Sequence, residues 1–250
     1  ERPPLSKQYL RRQTDDVILH PPSWYDERAI ELISSTAIDR IDVDDRAVYA
    51  GEQRYDFRSL ILAPGAAPSP LSVPGGHHAL LLRSLTDATV LRDVADTADA
   101  AVVVGAGFIG CEAAASLSLR GVSVTLVAPE SLPQETRLGR EAGERLRDLV
   151  TAAGVHYIGG VEVEEITGKG VRLNTGVTVA GDLTLAATGV TPQSRLAAKA
   201  GIRVEDSRIV VGADMRTSAS GVYAAGDVAR AWNAIAGRYL TVEHWQDAID

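Results

Sequence analysis

Ala101-Val102-Val103-Val104-Gly105-Ala106-Gly107-Phe108-Ile109-Gly110-Cys111-Glu112 decides the fold of this chain. A β-branched apolar run ends in G-x-G-x-x-G, and a small-residue helical pattern (Ala113, Ala114, Ala115, Leu117) follows at once. Gly121 precedes a second apolar run, Val122 to Val127, and Glu130 lies 20 positions after Gly110. Strand, glycine loop, helix, strand and acid in this order form a βαβ unit suited to a dinucleotide pyrophosphate. Gly105 permits the tight turn out of the strand. Gly107 lets backbone approach phosphate, and Gly110 lets the helix pack on the sheet. Phe108 and Ile109 fill the motif's last two variable positions. The helix N-terminus offers N–H groups and partial positive charge to an anion. Glu130 is read as the acid that meets the ribose hydroxyls, which favours NADH over NADPH because a 2′-phosphate would face a carboxylate. It follows Ala128-Pro129 rather than ending the strand, so a plain surface role stays open for it.

The chain has 250 residues, of which 45% are hydrophobic, enough to bury the core of one large or two ordinary α/β domains. A formal net charge of −8 without basic runs argues against nucleic acid and anionic membrane as partners. No apolar stretch approaches the ~20 residues that span a bilayer. Cys111 is the only cysteine, which excludes a disulfide framework and an intrachain dithiol. A reducing, cytoplasmic setting is expected. His20, His77, His78, His156 and His244 show no metal-ligand spacing, and no metal site is expected. The chain opens at Glu1 without methionine and stops at Asp250 within a helix-like start, so both ends read as cut.

Along the chain, Tyr55 to Leu62 reads as one apolar strand that ends in a turn at Ala63-Pro64-Gly65, and Pro64 to Gly76 as a connecting loop. Leu81 to Val94 reads as a helix, and Glu141 to Ala153 as another with Gly154 as its C-cap. Short β runs at 155–158, 161–166, 171–173 and 177–180 suggest an antiparallel hairpin layer. Leu60 to Gly65 and Leu183 to Gly189 echo each other as apolar strands ending in glycine turns. The echo suggests two similar nucleotide-binding domains, one inserted in the other.

The chain resembles the two-dinucleotide-binding-domain flavoproteins, FAD-dependent pyridine nucleotide oxidoreductases of the NADH:ferredoxin (rubredoxin, putidaredoxin) reductase type, with the related apoptosis-inducing-factor flavoproteins. The resemblance rests on Arg2-Pro3-Pro4-Leu5-Ser6-Lys7, Leu62 to Ala66, Leu82-Arg83-Ser84, Gly105 to Glu112, Ala187 to Val190, Tyr223 to Asp227 and Glu243-His244-Trp245, which occur in the family's order. It implies an α/β fold of two Rossmann-like, three-layer domains, with the NAD domain inserted in the FAD domain. The expected division is 1–98 for FAD, 99–218 for NAD and 219–250 for the return of the FAD domain. The family's N-terminal FAD-binding strand–loop–helix and its C-terminal domain do not stand in this sequence. Ala63-Pro64-Gly65 replaces the usual Ala-Thr-Gly, which removes one hydroxyl contact.

The resemblance also implies roles. Lys7 would stand beside the flavin and stabilise negative charge on its reduced form, with Glu112 as its ion-pair partner. Arg2, Pro64, Gly65, Arg83, Gly226, Asp227, His244 and Trp245 would contact FAD. Gly105, Gly107, Phe108, Ile109, Gly110, Glu112, Glu130, Gly189 and Glu243 would contact the nicotinamide nucleotide. Taken singly, these residues have plainer readings. Lys7 and Arg2 could be solvated charges near a chain end, Asp227 an Asx turn, Trp245 core, and Glu112 a helix-dipole partner. Cys111 reads as a buried small residue. The implied activity is hydride transfer from NADH to FAD, then single electrons to a ferredoxin-type iron–sulfur protein. An NADH oxidase or quinone reductase on the same fold, or a nucleotide-switched non-catalytic flavoprotein, are the alternatives. Lys7, Arg11 and Arg12 could form part of the acceptor's docking surface, although such a run is usually just solvated.

Overall fold

Val102 and Val103 are both fully buried, and they face opposite sides of the same strand. That burial on both faces is the mark of a central parallel strand. The computed structural model describes residues 4–241 and divides into two compact units. One holds the chain up to Leu19 together with Pro68–Val190; the other holds His20–Ala67 and the chain from Thr191 on. The division expected from motif order at 98/99 and 218/219 is thus not the division made by packing. The segment around Lys7 and residues 68–98 pack with the G-x-G-x-x-G unit.

In the first unit, four parallel strands run in the order Leu183–Ala186, Ala100–Val104, Ser123–Ala128, His156–Gly159. Alternation then sorts the side chains. Ala101, Val103, Val124, Leu126 and Leu185 face a helical layer that includes Ala113, Ala114, Leu117 and Leu91. Val102, Val104 and Val127 face an antiparallel sheet built from Val163–Thr167, Gly170–Leu173 and Thr178–Ala180. Each fully buried Val or Leu contributes about 1.5–3 kcal/mol of transfer free energy, so this three-layer stack dominates the unit. The run at 155–158, expected in the antiparallel layer, instead completes the parallel sheet beside Thr125–Ala128. Its burial needs match a sheet edge as well as a hairpin, and the sequence alone does not separate them.

The helix expected over 81–94 begins only at Leu85. Ser84 Oγ accepts from the Asp87 N–H and Asp87 Oδ2 accepts from the Ser84 N–H, a reciprocal capping box. Upstream, Leu80 is extended and exchanges backbone hydrogen bonds with Thr184 and Ala186 at 2.8 Å each. The helix Arg140–Ala152 ends as expected, with Gly154 in the left-handed region at φ +89°.

The second unit has an antiparallel meander (Arg40–Asp42, Ala47–Ala50, Gln53–Asp56), a parallel pair (Leu60–Leu62 with Val222–Ala224) and a mixed sheet (Val204–Glu205, Arg208–Val211, Ala229–Asn233, Arg238–Leu240). Its core gathers Ile41, Leu62, Ile209, Val211, Val222, Ala224 and Val228. The single strand expected from Tyr55 to Leu62 is two strands in different sheets. The link Phe57-Arg58-Ser59 breaks it, and the Phe57 N–H turns back to the Arg46 carbonyl at 2.9 Å.

Candidate functional site

The strand Ala100–Val104 delivers its glycine loop to the carboxyl edge of the parallel sheet, where ligands of open α/β folds bind. Gly105 has φ +104°, and a Cβ there would strike the Ala187 carbonyl, so only glycine fits the turn. A Cβ on Gly110 would strike the Gly105 carbonyl and press on Ala187, so the third glycine sets how closely helix and strand approach. Gly107 differs: with φ −70° it has no protein atom within 4 Å of its missing Cβ. Its backbone faces open space at the start of the helix Phe108–Ser118, which has no side-chain cap. Phe108 is exposed beside that opening. Gly189, φ +97°, stands on the same sheet edge after the strand Leu183–Ala186, again with no atom within 4 Å of the place a Cβ would take, while its carbonyl accepts from the Ser69 N–H at 3.0 Å.

Glu112 lies on the first turns of the helix Phe108–Ser118. Its Oε2 is 2.8 Å from Lys7 Nζ, with both side chains about one-third exposed (39% and 33%). The same oxygen accepts a hydrogen bond from Ser6 Oγ at 2.6 Å. Lys7 belongs to the short helical segment Leu5–Tyr9, whose Leu5, Ser6 and Tyr9 are buried and whose backbone leaves helical geometry at Lys7. Several contacts pin this segment. Ser116 Oγ donates to the Ser6 carbonyl at 2.7 Å. Tyr9 Oη meets Thr89 Oγ1 at 2.7 Å while the Arg92 guanidinium lies 4.1 Å from the Tyr9 ring centre. Arg120, only 10% exposed, donates to the Leu10 and Arg92 carbonyls at 3.0 Å and to Asp96 at 2.5 Å. Ser6, Arg83 and Ile109 line a cavity of about 50 Å³ with Leu5 and Leu82.

The run Lys7, Arg11, Arg12 is not an open basic patch. Lys7 is on Glu112, and Arg12 pairs with Asp96 and Asp93. The hydrogen bond from Arg12 holds the Asp96 carboxyl below its usual range. Cys111 is buried, its Sγ 3.5 Å from the Ala106 carbonyl. Burial, aided by the Glu112 charge, pushes its thiol up to about 11, the reverse of a reactive cysteine.

Glu130 is half-buried. Its Oε1 accepts from the Thr136 N–H at 3.0 Å, and its carbonyl accepts from Tyr157 Oη at 2.8 Å and the Gly160 N–H at 3.1 Å. One carboxylate oxygen therefore organises the loop after the second strand. Burial pushes the Tyr157 phenol up to about 12.

In the second unit, Leu60–Leu62 and Val222–Ala224 run parallel and end together. Beyond their carboxyl ends stand Pro64 and Gly65 (φ +69°) and the turn Gly226–Val228. Gly226, φ +74°, has no atom within 4 Å of the place a Cβ would take, and Asp227 is half-buried beside it. Gln193 ties the Pro64-Gly65 turn by donating to both carbonyls, at 3.4 and 2.9 Å. Arg2, Glu243, His244 and Trp245 lie outside the described residues. No local sequence pattern marks Ser6, Ser116 or Arg120; the adjacency of Ser6 to Lys7 is the one signal. Among the described residues, no three His, Cys, Asp or Glu are grouped to hold a metal, and no helix is long and apolar enough to cross a membrane.

Four similarities to known proteins stand beside this geometry. The family model described as pyridine nucleotide-disulphide oxidoreductase matches residues 1–250. The rubredoxin-NAD(+) reductase of Pseudomonas putida is 31% identical over 259 residues, a match covering 100% of this chain and 67% of that protein. The ferredoxin reductase for the CYP199A2 system from Rhodopseudomonas palustris superposes with a TM-score of 0.94 at 32% identity, over 100% of this chain and 64% of that one. A covalent putidaredoxin reductase–putidaredoxin complex gives a TM-score of 0.93 at 29% identity, over 100% of this chain and 63% of the matched one. The chain thus spans about two thirds of the length of these proteins.

Proposed function

Because the chain belongs to the pyridine nucleotide-disulphide oxidoreductase family, we propose that it serves a flavoprotein oxidoreductase which passes hydride from NADH to FAD and single electrons on to a ferredoxin-type iron–sulfur protein. The observation that carries this reading is the Lys7–Glu112 ion pair on the first turns of the helix Phe108–Ser118, which begins within the glycine motif. A partly exposed ion pair contributes only about 0–1 kcal/mol to stability. Its value is therefore better sought in chemistry, as a cation held near a redox-active ring.

FAD, when bound, supplies the conversion of a two-electron donor into one-electron transfers. The chain's own residues do the rest. Gly107 and the uncapped N–H groups of the helix Phe108–Ser118 receive the pyrophosphate of the nicotinamide nucleotide, with Phe108 and Ile109 beside it. The opening at Gly189 leaves room for the nicotinamide end. Lys7 holds positive charge where the reduced ring gains electrons, and Glu112 orients that ammonium. In the second unit, Pro64, Gly65, Gly226 and Asp227 are assigned to FAD, the last from the carboxyl end of its strand; in the first unit, Arg83 is assigned to the same cofactor. In this reading the segments 1–98 and 219–250 serve FAD and 99–218 serves NADH. Preference for NADH over NADPH rests on the carboxylate oxygen of Glu130 that Thr136 does not use. A cytoplasmic site of action accompanies the ferredoxin-type acceptor.

The test is anaerobic stopped-flow mixing of the FAD-loaded full protein with NADH. Rapid bleaching of the flavin band is expected, slowed by at least tenfold in Lys7→Ala; an unchanged rate in that variant would remove Lys7 from its role.

A further inference from the structure

We propose that Ser6 is a positioning residue for hydride transfer: its hydroxyl holds Glu112 so that the carboxylate presents the Lys7 ammonium in a single geometry. The proposal rests on the flavin-reductase reading above. Three observations carry it. Ser6 Oγ and Lys7 Nζ converge on the same atom, Glu112 Oε2, at 2.6 and 2.8 Å. Two donors fill the two lone-pair directions of that oxygen. The ion-pair partners are long, partly exposed side chains, which keep rotamer freedom, whereas Ser6 is 7% exposed and has one side-chain torsion. Finally, Ser6 is fastened on its other side. Ser116, 4% exposed, donates to the Ser6 carbonyl at 2.7 Å.

Glu112 and Ser116 are four residues apart on the helix Phe108–Ser118, and therefore lie on one face. That face grips Ser6 at two points, accepting a hydrogen bond from its hydroxyl at Glu112 and donating one to its carbonyl at Ser116. Ser6 is thus the stiff member of the trio, and the carboxylate is set by the helix–segment junction rather than by the longer, more exposed lysine. A charge-assisted O–H···O bond of this length is among the stronger kinds, and its loss frees the carboxylate to follow solvent.

The experiment uses the full protein loaded with FAD and four variants: Ser6→Ala, Ser6→Thr, Glu112→Gln and the Ser6→Ala/Glu112→Gln pair. Expected for Ser6→Ala is a limiting rate of flavin reduction by NADH about tenfold lower, with NADH affinity changed less than twofold. The flavin midpoint potential should fall by about 30 mV, the equivalent of a tenfold weaker preference for the reduced two-electron form. Ser6→Thr, which keeps the hydroxyl, should restore both readings. In the Glu112→Gln background the Ser6→Ala change should add less than twofold, because the residue acts through Glu112. Equal slowing in both backgrounds, or a change in thermal stability without a change in rate or potential, overturns the proposal. If the flavin of the unsubstituted protein does not bleach with NADH, the function reading fails and this proposal with it. If it bleaches and Ser6→Ala bleaches as fast at an unshifted potential, only the role of Ser6 falls.

Discussion

Gly110 rests against the carbonyl of Gly105 so closely that no Cβ can stand between them, while Gly107, midway in the same loop, faces nothing. Two glycines of the motif serve packing and one serves an opening. Gly110→Ala should therefore cost about 1–3 kcal/mol, because backbone must shift to admit the methyl group. Gly107→Ala, at φ −70° with no atom within 4 Å, should leave stability within about 0.5 kcal/mol and yet weaken NADH binding. Urea titration alongside nucleotide titration separates the two. Full NADH affinity in Gly107→Ala would move the pyrophosphate away from this loop.

Cys111 should be silent to thiol reagents in the native state. Its folded thiol is raised to about 11 from an ordinary value of 9.0, so folding favours the neutral form. The contribution is fully present below pH 9, where the folded and the unfolded thiol both keep the proton. It is lost as pH rises from about 9 through 11. Stability measured by urea midpoint should decline over that window, less steeply in Cys111→Ala. Tyr157, raised to about 12, adds a loss of the same sign at higher pH. Rapid labelling of the folded protein at pH 7 would contradict the buried thiol.

Arg120 is the fastener of the Lys7 segment. Its nearly buried guanidinium serves the carbonyls of Leu10 and Arg92 and the carboxylate of Asp96. Burial lowers its pKa, a direction that shows the cost of holding a charge there. Arg120→Ala leaves those acceptors without this donor and should destabilise the unit by about 2–4 kcal/mol. Amide hydrogen exchange at Ser6 to Leu10 should accelerate before exchange in the parallel strands does. Uniform acceleration across the unit would argue against a local clasp.

Glu130 offers a cleaner coenzyme test than a charge reversal. Gln retains an acceptor oxygen for the Thr136 N–H, so Glu130→Gln should keep the melting temperature within about 1 °C. If the second carboxylate oxygen meets the ribose, the preference for NADH over NADPH should drop by about tenfold. Flavin reduction rates with each coenzyme give the ratio, and an unchanged ratio leaves Glu130 with its loop contacts alone.

The parallel core was legible because its information is local. The unbroken apolar run Val102-Val103-Val104, the three glycines and the helix pattern after them all lie within a few residues of one another. Register was harder. The run 155–158 has the composition of either sheet, and the break at Phe57-Arg58-Ser59 that splits one expected strand into two is only three residues long. The helix start at Leu85 was readable in principle, since Ser84 and Asp87 stand at capping-box spacing. Ser6 and Arg120 were not, because their partners Glu112 and Leu10 are 106 and 110 positions away. No local pattern encodes contacts that only the finished sheet creates.

That separation also dictates a sequence of events. The ion pair of Lys7 and Glu112 closes a loop of more than a hundred positions, with part of another folding unit lying between its ends in the chain. Loop-closure entropy delays such contacts until the strand–helix–strand layer is already in place. The Lys7 segment is therefore a late arrival in folding. Substitutions at Ser6, Ser116 or Arg120 should leave the refolding rate of the unit nearly unchanged and speed its unfolding. The chemistry assigned to Lys7 thus switches on last, when the nucleotide cradle beneath it has already formed.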